Sequence, residues 1–515
     1  MIPKPPFAWE LTPERELQEF EHLKLRLAGL WHDVFARRDQ PYTSVVVPSV
    51  SLDSQELAKI KGVAFYEERL LFLLIQLRNP FARMVYVTSQ PIHPLVLEYY
   101  LQLLAGVPAS HARDRLTLLC AHDSSSRPLT QKIVERPRLI QRIREALQDR
   151  SRSYLTVFNS TPLERRLAVL LGIPLNGLDP ELARLGTKSG SRRVFREAEV
   201  DCPPGVEDVR TEQDVLNALG ELRRSQPGLR RAVLKLDDSF AGEGNAVLRY
   251  PVDSSRDALR QALDELQFSV PTETVESYLA KMERKGGVVE EVLEGREHTS
   301  PSAQLRIDAR GEVEVSSTHE QILGGSTGHL YRGCTFPARG EYRAQLQEMG
   351  MRVGRVLAGK GVVSRFSVDF LIRRDDPGAA WNAAAVEINL RMGGTTHPML
   401  ALLFLTGGCF DLASGLFHCP AGRAKYYRAT DGLSSPSYVG LLPEDLIEIV
   451  TVNHLDYSYR TATGVLFHMI GAISEFGKVG LVAIGNSPQE AEEIFARTTQ
   501  VLDRETAYRG PPAGP

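Results

Sequence analysis

Cysteine is scarce in this chain: five in 515 residues (Cys120, Cys202, Cys334, Cys409 and Cys419), with no C-x-x-C pair. That spacing excludes a disulfide framework and a thiolate zinc site, and leaves buried, reduced thiols as the expectation. Long apolar runs are also missing. The longest, residues 399–405 (MLALLFL), is far too short to cross a bilayer. Neither sign of charge dominates, with 61 Lys and Arg against 64 Asp and Glu, so no nucleic-acid or membrane-surface partner is indicated. The first twenty residues (MIPKPPFAWELTPERELQEF) carry no basic stretch followed by an apolar core. No secretory signal is therefore expected, and the reading is a cytoplasmic protein. No internal repeat, heptad seam, Ser–His–Asp or Cys–His arrangement stands out.

What is present is an ordinary globular composition, 43% hydrophobic and 24% charged, at a length that predicts roughly three domains. Short apolar strands at 43–48, 84–89, 116–119 and 153–158 alternate with helical stretches at 63–77 and 94–104 and a helix opened by Thr161-Pro162. Such alternation predicts a parallel, doubly wound sheet. The middle of the chain mixes long strands with fewer helices and holds most of the unusual polar residues, residues 283–287 reading as a loop that leads into a strand over 288–293. Beyond Gly407 come turn-rich strand pieces and a helix over 489–502, then a tail from Arg509 expected to fray.

Residues 384–398 (AAVEINLRMGGTTHP) contain the most telling pattern. Val386, Ile388 and Leu390 alternate with Glu387, Asn389 and Arg391, so one strand face carries a carboxylate, an amide and a guanidinium. Oxygen donors of this kind suit Mg²⁺, and Arg391 would meet a phosphate as a permanent cation; a solvated strand face with an ion pair is the alternative. A second acid, Asp369, shares a face with Arg365 and Ser367 on another alternating strand. Lys188 begins a helix, although its glycine spacing is not that of a P-loop. Lys235 lies inside an apolar strand, where an ammonium needs an anion or an exposed edge. The small-residue loop after it (Gly242, Glu243, Gly244, Asn245) could close over phosphates or form only a hairpin turn. Glu290, Glu291 and Val292 end a strand whose backbone could meet an adenine, with Glu297 near the ribose. Ser302, Gln304 and Arg306 share a strand face; Arg306 reads as a substrate clamp or a surface ion pair. His319, Gln321 and His397 are candidate substrate contacts, His397 also reading as a turn cap, and His468 as a buried histidine.

In this order the pieces resemble the ATP-grasp ligases. The resemblance runs through Lys188, Lys235 47 residues on (235 − 188), residues 242–245, Glu290-Glu291, Asp369, and Glu387-x-Asn389-x-Arg391 18 residues after Asp369 (387 − 369). The E-x-N-x-R run and a later His-Pro are also similar to biotin carboxylase. Residues 66–71 (YEERLL), 85–92 (VYVTSQPI), 317–321 (STHEQ) and 464–469 (GVLFHM) resemble the peptide ligases related to the pheganomycin biosynthetic enzyme. The resemblance implies α/β and α+β architecture: a parallel-sheet pre-ATP-grasp domain (1–160), an ATP-grasp domain of two α+β subdomains (161–405), a small α+β C-terminal domain (406–508) and a disordered tail (509–515). It implies an amide-forming carboxylate–amine ligase that works through an acyl phosphate and releases ADP and phosphate. ATP and Mg²⁺ would be the cofactors, with Asp369, Glu387 and Asn389 on the metal. Arg391 and Arg306 would be catalytic, and the lysines, the glycine loop and the Glu290–Val292 segment would hold nucleotide. Small-molecule carboxylates and amines are the implied partners. Oligomeric state stays open, relatives commonly forming homodimers. A biotin-carboxylase-like enzyme and a non-catalytic ATP-binding regulator are the competing readings; no A-M-K-M biotinylation segment is present, and no metal ligand or lysine is lost.

Overall fold

A computed structural model of the chain describes residues 11–37, 39–52, 54–239, 244–253, 255–270, 272–324 and 330–507. The first sheet is parallel and four-stranded, from β1 (Tyr42–Val47), β2 (Ala82–Thr88), β3 (Leu116–Cys120) and β4 (Ser153–Val157), in the order β3-β2-β1-β4. Successive side chains of a strand face opposite ways, so β1 feeds two cores. Val45 and Val47 pack with Phe20, Ile133, Ile140 and Leu167, whereas Val46 packs with Leu71, Ile75 and Tyr100. The helix opened by Pro162 carries a capping box in which Thr161 and Glu164 satisfy each other's backbone amides. Residues 63–77 differ from expectation. Val63–Arg78 winds as a 3₁₀-helix, and nine of its residues are buried, so no single apolar stripe sets a 3.6-residue period.

The second sheet is antiparallel, from β5 (Gly205–Val209), β6 (Arg231–Leu236), β7 (Asn245–Arg249), β8 (Gln267–Phe268) and β9 (Gly287–Glu291), in the order β5-β9-β6-β7-β8. Ala232, Leu234 and Leu236 pack beneath the helices Glu212–Ser225, Arg256–Leu263 and Val275–Lys285, which leaves Lys235 on the other face. The loop expected over 283–287 shrinks to Gly286, because the helix runs to Lys285 and Gly286 turns the chain at φ 78°. The strand ends at Glu291, one residue before the Val292 expected to close it.

A third sheet of eleven strands carries the rest: β10 (Glu297–Thr299), β11 (Pro301–Ile307), β12 (Val313–Gly324), β13 (Leu330–Phe336), β14 (Ser364–Arg374), β15 (Asn382–Asn389), β16 (Cys409–Asp411), β17 (Leu416–His418), β18 (Ala424–Ser434), β19 (Gly464–His468) and β20 (Lys478–Gly485). Its neighbours run β10-β14-β11-β12-β13-β18, with β15 beside β14 and β20 joining β18 to β19. One face is apolar. Ala303, Leu305, Phe366, Val368 and Phe370 pack under the helix Gly340–Gly359. That helix lies close because Gly350 and Gly354 face the sheet: an added Cβ at Gly350 would stand 3.0 Å from Leu305, and one at Gly354 would collide with Val313. Gly354→Val is therefore expected to lower stability by about 1–3 kcal/mol through overpacking, read as a lower denaturant midpoint. The opposite, polar face of the sheet is left for chemistry. No described helix is long and apolar enough to cross a membrane. The tail expected from Arg509 lies outside the described residues.

Candidate active site

Register assembles the polar face in rows. Asp369 on β14 stands opposite Glu387 on β15 and Ser302 on β11, and Ser302 stands opposite His319 on β12. One step along, Ser367 is flanked by Asn389 and Gln304. The Asn389 Nδ2 and Gln321 Nε2 amides each donate to the Asp369 carboxylate at 3.0 Å. Burial, and then the neighbouring Glu387 charge, push the Asp369 carboxyl up to about 7. Burial also works against Glu387, but Lys188, with its ammonium 2.5 Å away, and Arg391 hold it below the usual carboxylate range. Two facing carboxylates and an amide oxygen form a hard-donor set suited to Mg²⁺. Their mutual repulsion, now offset by a lysine, is what a divalent ion would relieve. Among the described residues no group of three or more His, Cys, Asp or Glu side chains is placed to hold a metal. Arg391, just past β15, is half-buried and feels the Glu387, Asp369 and Asp238 charges.

The two lysines converge on this face from separate elements. Lys188 is the first residue of the helix Lys188–Glu197, capped by Thr187. The amides expected to attract an external anion there are already partly used: Ser189 N donates to Asp237 Oδ1 at 2.7 Å. Lys235 Nζ lies 2.6 Å from Glu290 Oε2. Glu290 is 2% exposed and also receives Arg192 Nη1 at 2.7 Å, while Arg192 binds the carbonyls of Pro203 and Gly205. Glu290 thus fixes the lysine through a buried ion-pair network. Arg192 escaped the sequence reading, although its position four residues after Lys188 puts both on one helix face. Glu291 is half-buried at the end of β9, and the Val292 amide bonds to Arg231 O. Glu297 pairs with Arg374 at 2.6 Å. Gly244 accepts from Leu236 N and Tyr278 Oη, and Asn245 Oδ1 is buried without a partner among the described residues. Gly242 and Glu243 lie outside the described residues.

The residues marked for substrate separate into different places. Gln304 is engaged by the loop that follows β15: its amide nitrogen donates to Thr395 Oγ1 at 2.5 Å and its oxygen accepts from Thr396. His319 is fully buried against Tyr427, and burial lowers its pKa to about 3, so it is a neutral imidazole. Gln321 holds Asp369. His397 does not cap a turn. It sits buried inside the helix Thr396–Thr406, edge-on to Phe72 and 4.0 Å from the His468 ring, with neither nitrogen hydrogen-bonded among the described residues. His468 Nε2 meets Asp431 at 2.8 Å, and Asp431 pairs with Arg69, whose guanidinium covers the Phe158 ring at 5.2 Å. Met392 N donates to Phe158 O, which brings this chain of groups beside Arg391. Asp431 was invisible in sequence because its partners lie 362 and 37 residues away. Arg306 covers the Trp31 ring at 4.1 Å and lines a cavity of about 470 Å³ with Arg365 and Arg391.

Comparison with known proteins fits this geometry. Residues 180–250 and 258–413 match the family described as IQCH-like, ATP-grasp, and 445–498 match a PGM1 C-terminal domain. The chain is 32% identical over 479 residues to an L-propargylglycine–L-glutamate ligase of Streptantibioticus cattleyicolor, covering 91% of this chain and 95% of that one. Among solved structures it resembles a biotin carboxylase–nucleotide complex from Campylobacter jejuni (TM-score 0.54, 11% identity, 91% and 95% of the two chains). The biotin carboxylase domain of Hydrogenobacter thermophilus 2-oxoglutarate carboxylase, solved with MgADP and bicarbonate, is similar at TM-score 0.53 and 12% identity over 89% and 90%. At those identities the two structures speak for the fold alone. With a ligase relative matched along nearly its whole length, the chain belongs to the ATP-grasp enzymes, among the carboxylate–amine ligases.

Proposed function

We propose that this protein joins the carboxylate of one amino acid to the amine of another, using ATP and releasing ADP and phosphate. The observation that carries the reading is the meeting of Asp369, Glu387 and Asn389 with Lys188 and Arg391 on one sheet face beside the arginine-lined cavity. The substrate carboxylate oxygen attacks the γ-phosphorus, and the bond to the β,γ-bridging oxygen breaks. The amine then attacks the acyl phosphate carbon, phosphate departs, and the amine loses a proton as the amide forms. Such transfer needs placement and charge neutralisation rather than a protein nucleophile. Mg²⁺ held by Asp369, Glu387 and Asn389 would supply further neutralisation of the phosphates. Lys188 and Lys235 bind phosphate oxygens, Glu290 and Arg192 fix Lys235, and Arg391 holds charge as it develops on the transferring group. The relative's L-glutamate and L-propargylglycine support amino acids as the substrate class.

ADP release measured with pools of amino acids tests this. Release that requires both a carboxylate and an amine is expected. Bicarbonate-dependent release without an amine would favour the carboxylase reading, and no turnover with any pool would favour a regulator.

A further inference from the structure

The cavity that Arg391 lines is also lined by a second pair of cations, Arg306 and Arg365. Arg306 on β11 and Arg365 on β14 are direct register partners, side by side on the polar face. From Arg365 to Asp369 is four residues of one strand, about 13 Å at ~3.3 Å per residue. The Arg306–Arg365 pair and the Asp369 row therefore share one sheet face but lie too far apart to grip the same carboxylate. Trp31 stacks on Arg306, and Tyr154, Leu390, Met392 and Phe404 supply apolar wall.

Two adjacent guanidiniums in a half-buried wall repel each other; the carboxylates within their electrostatic reach are Glu314, opposite Arg306 on β12, and Asp308, just past β11 and already paired with Arg310. Glu314 is exposed. Arg365 makes no side-chain hydrogen bond among the described residues. Burial, and then Arg306, lower its pKa to about 9, which Glu314 offsets only in part. A planar guanidinium pair facing a cavity matches a carboxylate in a fork geometry. Arg391 is different: three carboxylates, Glu387, Asp369 and Asp238, act on it against the single opposing charge of Arg69.

We propose that Arg306 and Arg365 form a subsite for a second substrate carboxylate, one that is not phosphorylated. This rests on the ligase reading for its place in the reaction, but not for its ligand chemistry. The carboxylate belongs either to a dicarboxylic donor, held by its far end while the other carboxylate meets the γ-phosphate, or to the acceptor amino acid.

Equilibrium titration of the full chain, with Mg²⁺ and a non-hydrolysable ATP analogue, tests the subsite with glutarate and with valerate, its five-carbon monocarboxylate counterpart. Wild type is expected to bind glutarate about 10- to 100-fold more tightly than valerate, the range of a charged hydrogen-bonded pair. Arg365→Gln removes that preference while nucleotide affinity and the circular dichroism spectrum stay unchanged; Arg365→Lys, which keeps the charge and the fold, retains part of it. Equal binding of the two acids by wild type, or glutarate affinity unaltered in either variant, overturns the proposal. Turnover separates the sources. A higher KM in Arg365→Gln for L-2-aminoadipate, but not for L-norleucine, assigns the subsite to the donor. A change seen with L-alanine but not with L-alaninamide assigns it to the acceptor. Arg365-dependent glutarate binding in a protein that turns over no amino-acid pair would leave the subsite standing and remove the ligase reading instead.

Discussion

Glu387→Ala is expected to lower amide-forming turnover at least about 1,000-fold, the scale lost when a main charge-organising group leaves a transferring phosphoryl site. Glu387 has three roles at once. It stands opposite Asp369, it receives the Lys188 ammonium, and it is the strongest attraction on Arg391. Removing it frees both cations from their present positions and deletes one of two carboxylates suited to Mg²⁺. The side chain is 29% exposed on a strand whose opposite face holds the core, so the fold should survive. The check is ADP release alongside circular dichroism. Full activity in a folded variant would remove Glu387 from the metal and phosphate assignment.

The second large effect is on stability. Asp431→Asn is expected to cost about 3–5 kcal/mol at pH 7, because it strips the counterion from a buried arginine. Arg69 and Asp431 have side chains 11% and 15% exposed, and Arg69 is enclosed by Tyr66 and Phe158. The pair links the 3₁₀ segment of the first sheet to β18, and His468 extends the link to β19. Burial opposes the Asp431 charge, but Arg69 and His468 outweigh it and hold the carboxyl well below its ordinary 3.8. A folded pKa lowered in this way gives stability that is fully present above about pH 4 and is lost as pH falls below it. The wild-type advantage should therefore be large at pH 7 and shrink in acid, read as the difference in denaturant midpoints at pH 7 and pH 3. Equal midpoints at pH 7 would sink the idea.

Alternation along single strands was enough to pick out the polar residues that share one sheet face. Glu387, Asn389 and Asp369 are legible because a two-residue period shows their common side, and Lys235 because it interrupts an apolar run. Gln304 and His319 show where that logic stops. Both lie on the right face, but what each touches comes from another segment: Thr395 for Gln304, Tyr427 for His319. Glu290 was read for its backbone, whereas its buried carboxylate holds Lys235 through a network that includes Arg192 from a different helix. Register between β11 and β14 likewise turned Arg306 and Arg365 from two unrelated strand residues into neighbours. The 3₁₀ winding of Val63–Arg78 had no periodic signature, since apolar residues surround it.

The joining of β13 to β18 bears on how the chain is made. β13 ends at Phe336 and its partner begins at Ala424, so synthesis must continue for 88 residues (424 − 336) before that edge can be covered. β18 in turn waits for β20, which ends at Gly485. A ribosome adds about 5–20 residues per second, so the unfinished sheet presents an open, hydrogen-bonding edge for seconds in every round of translation. This enzyme thus has a window of vulnerability to misassembly that closes only once the residues up to Gly485 have emerged.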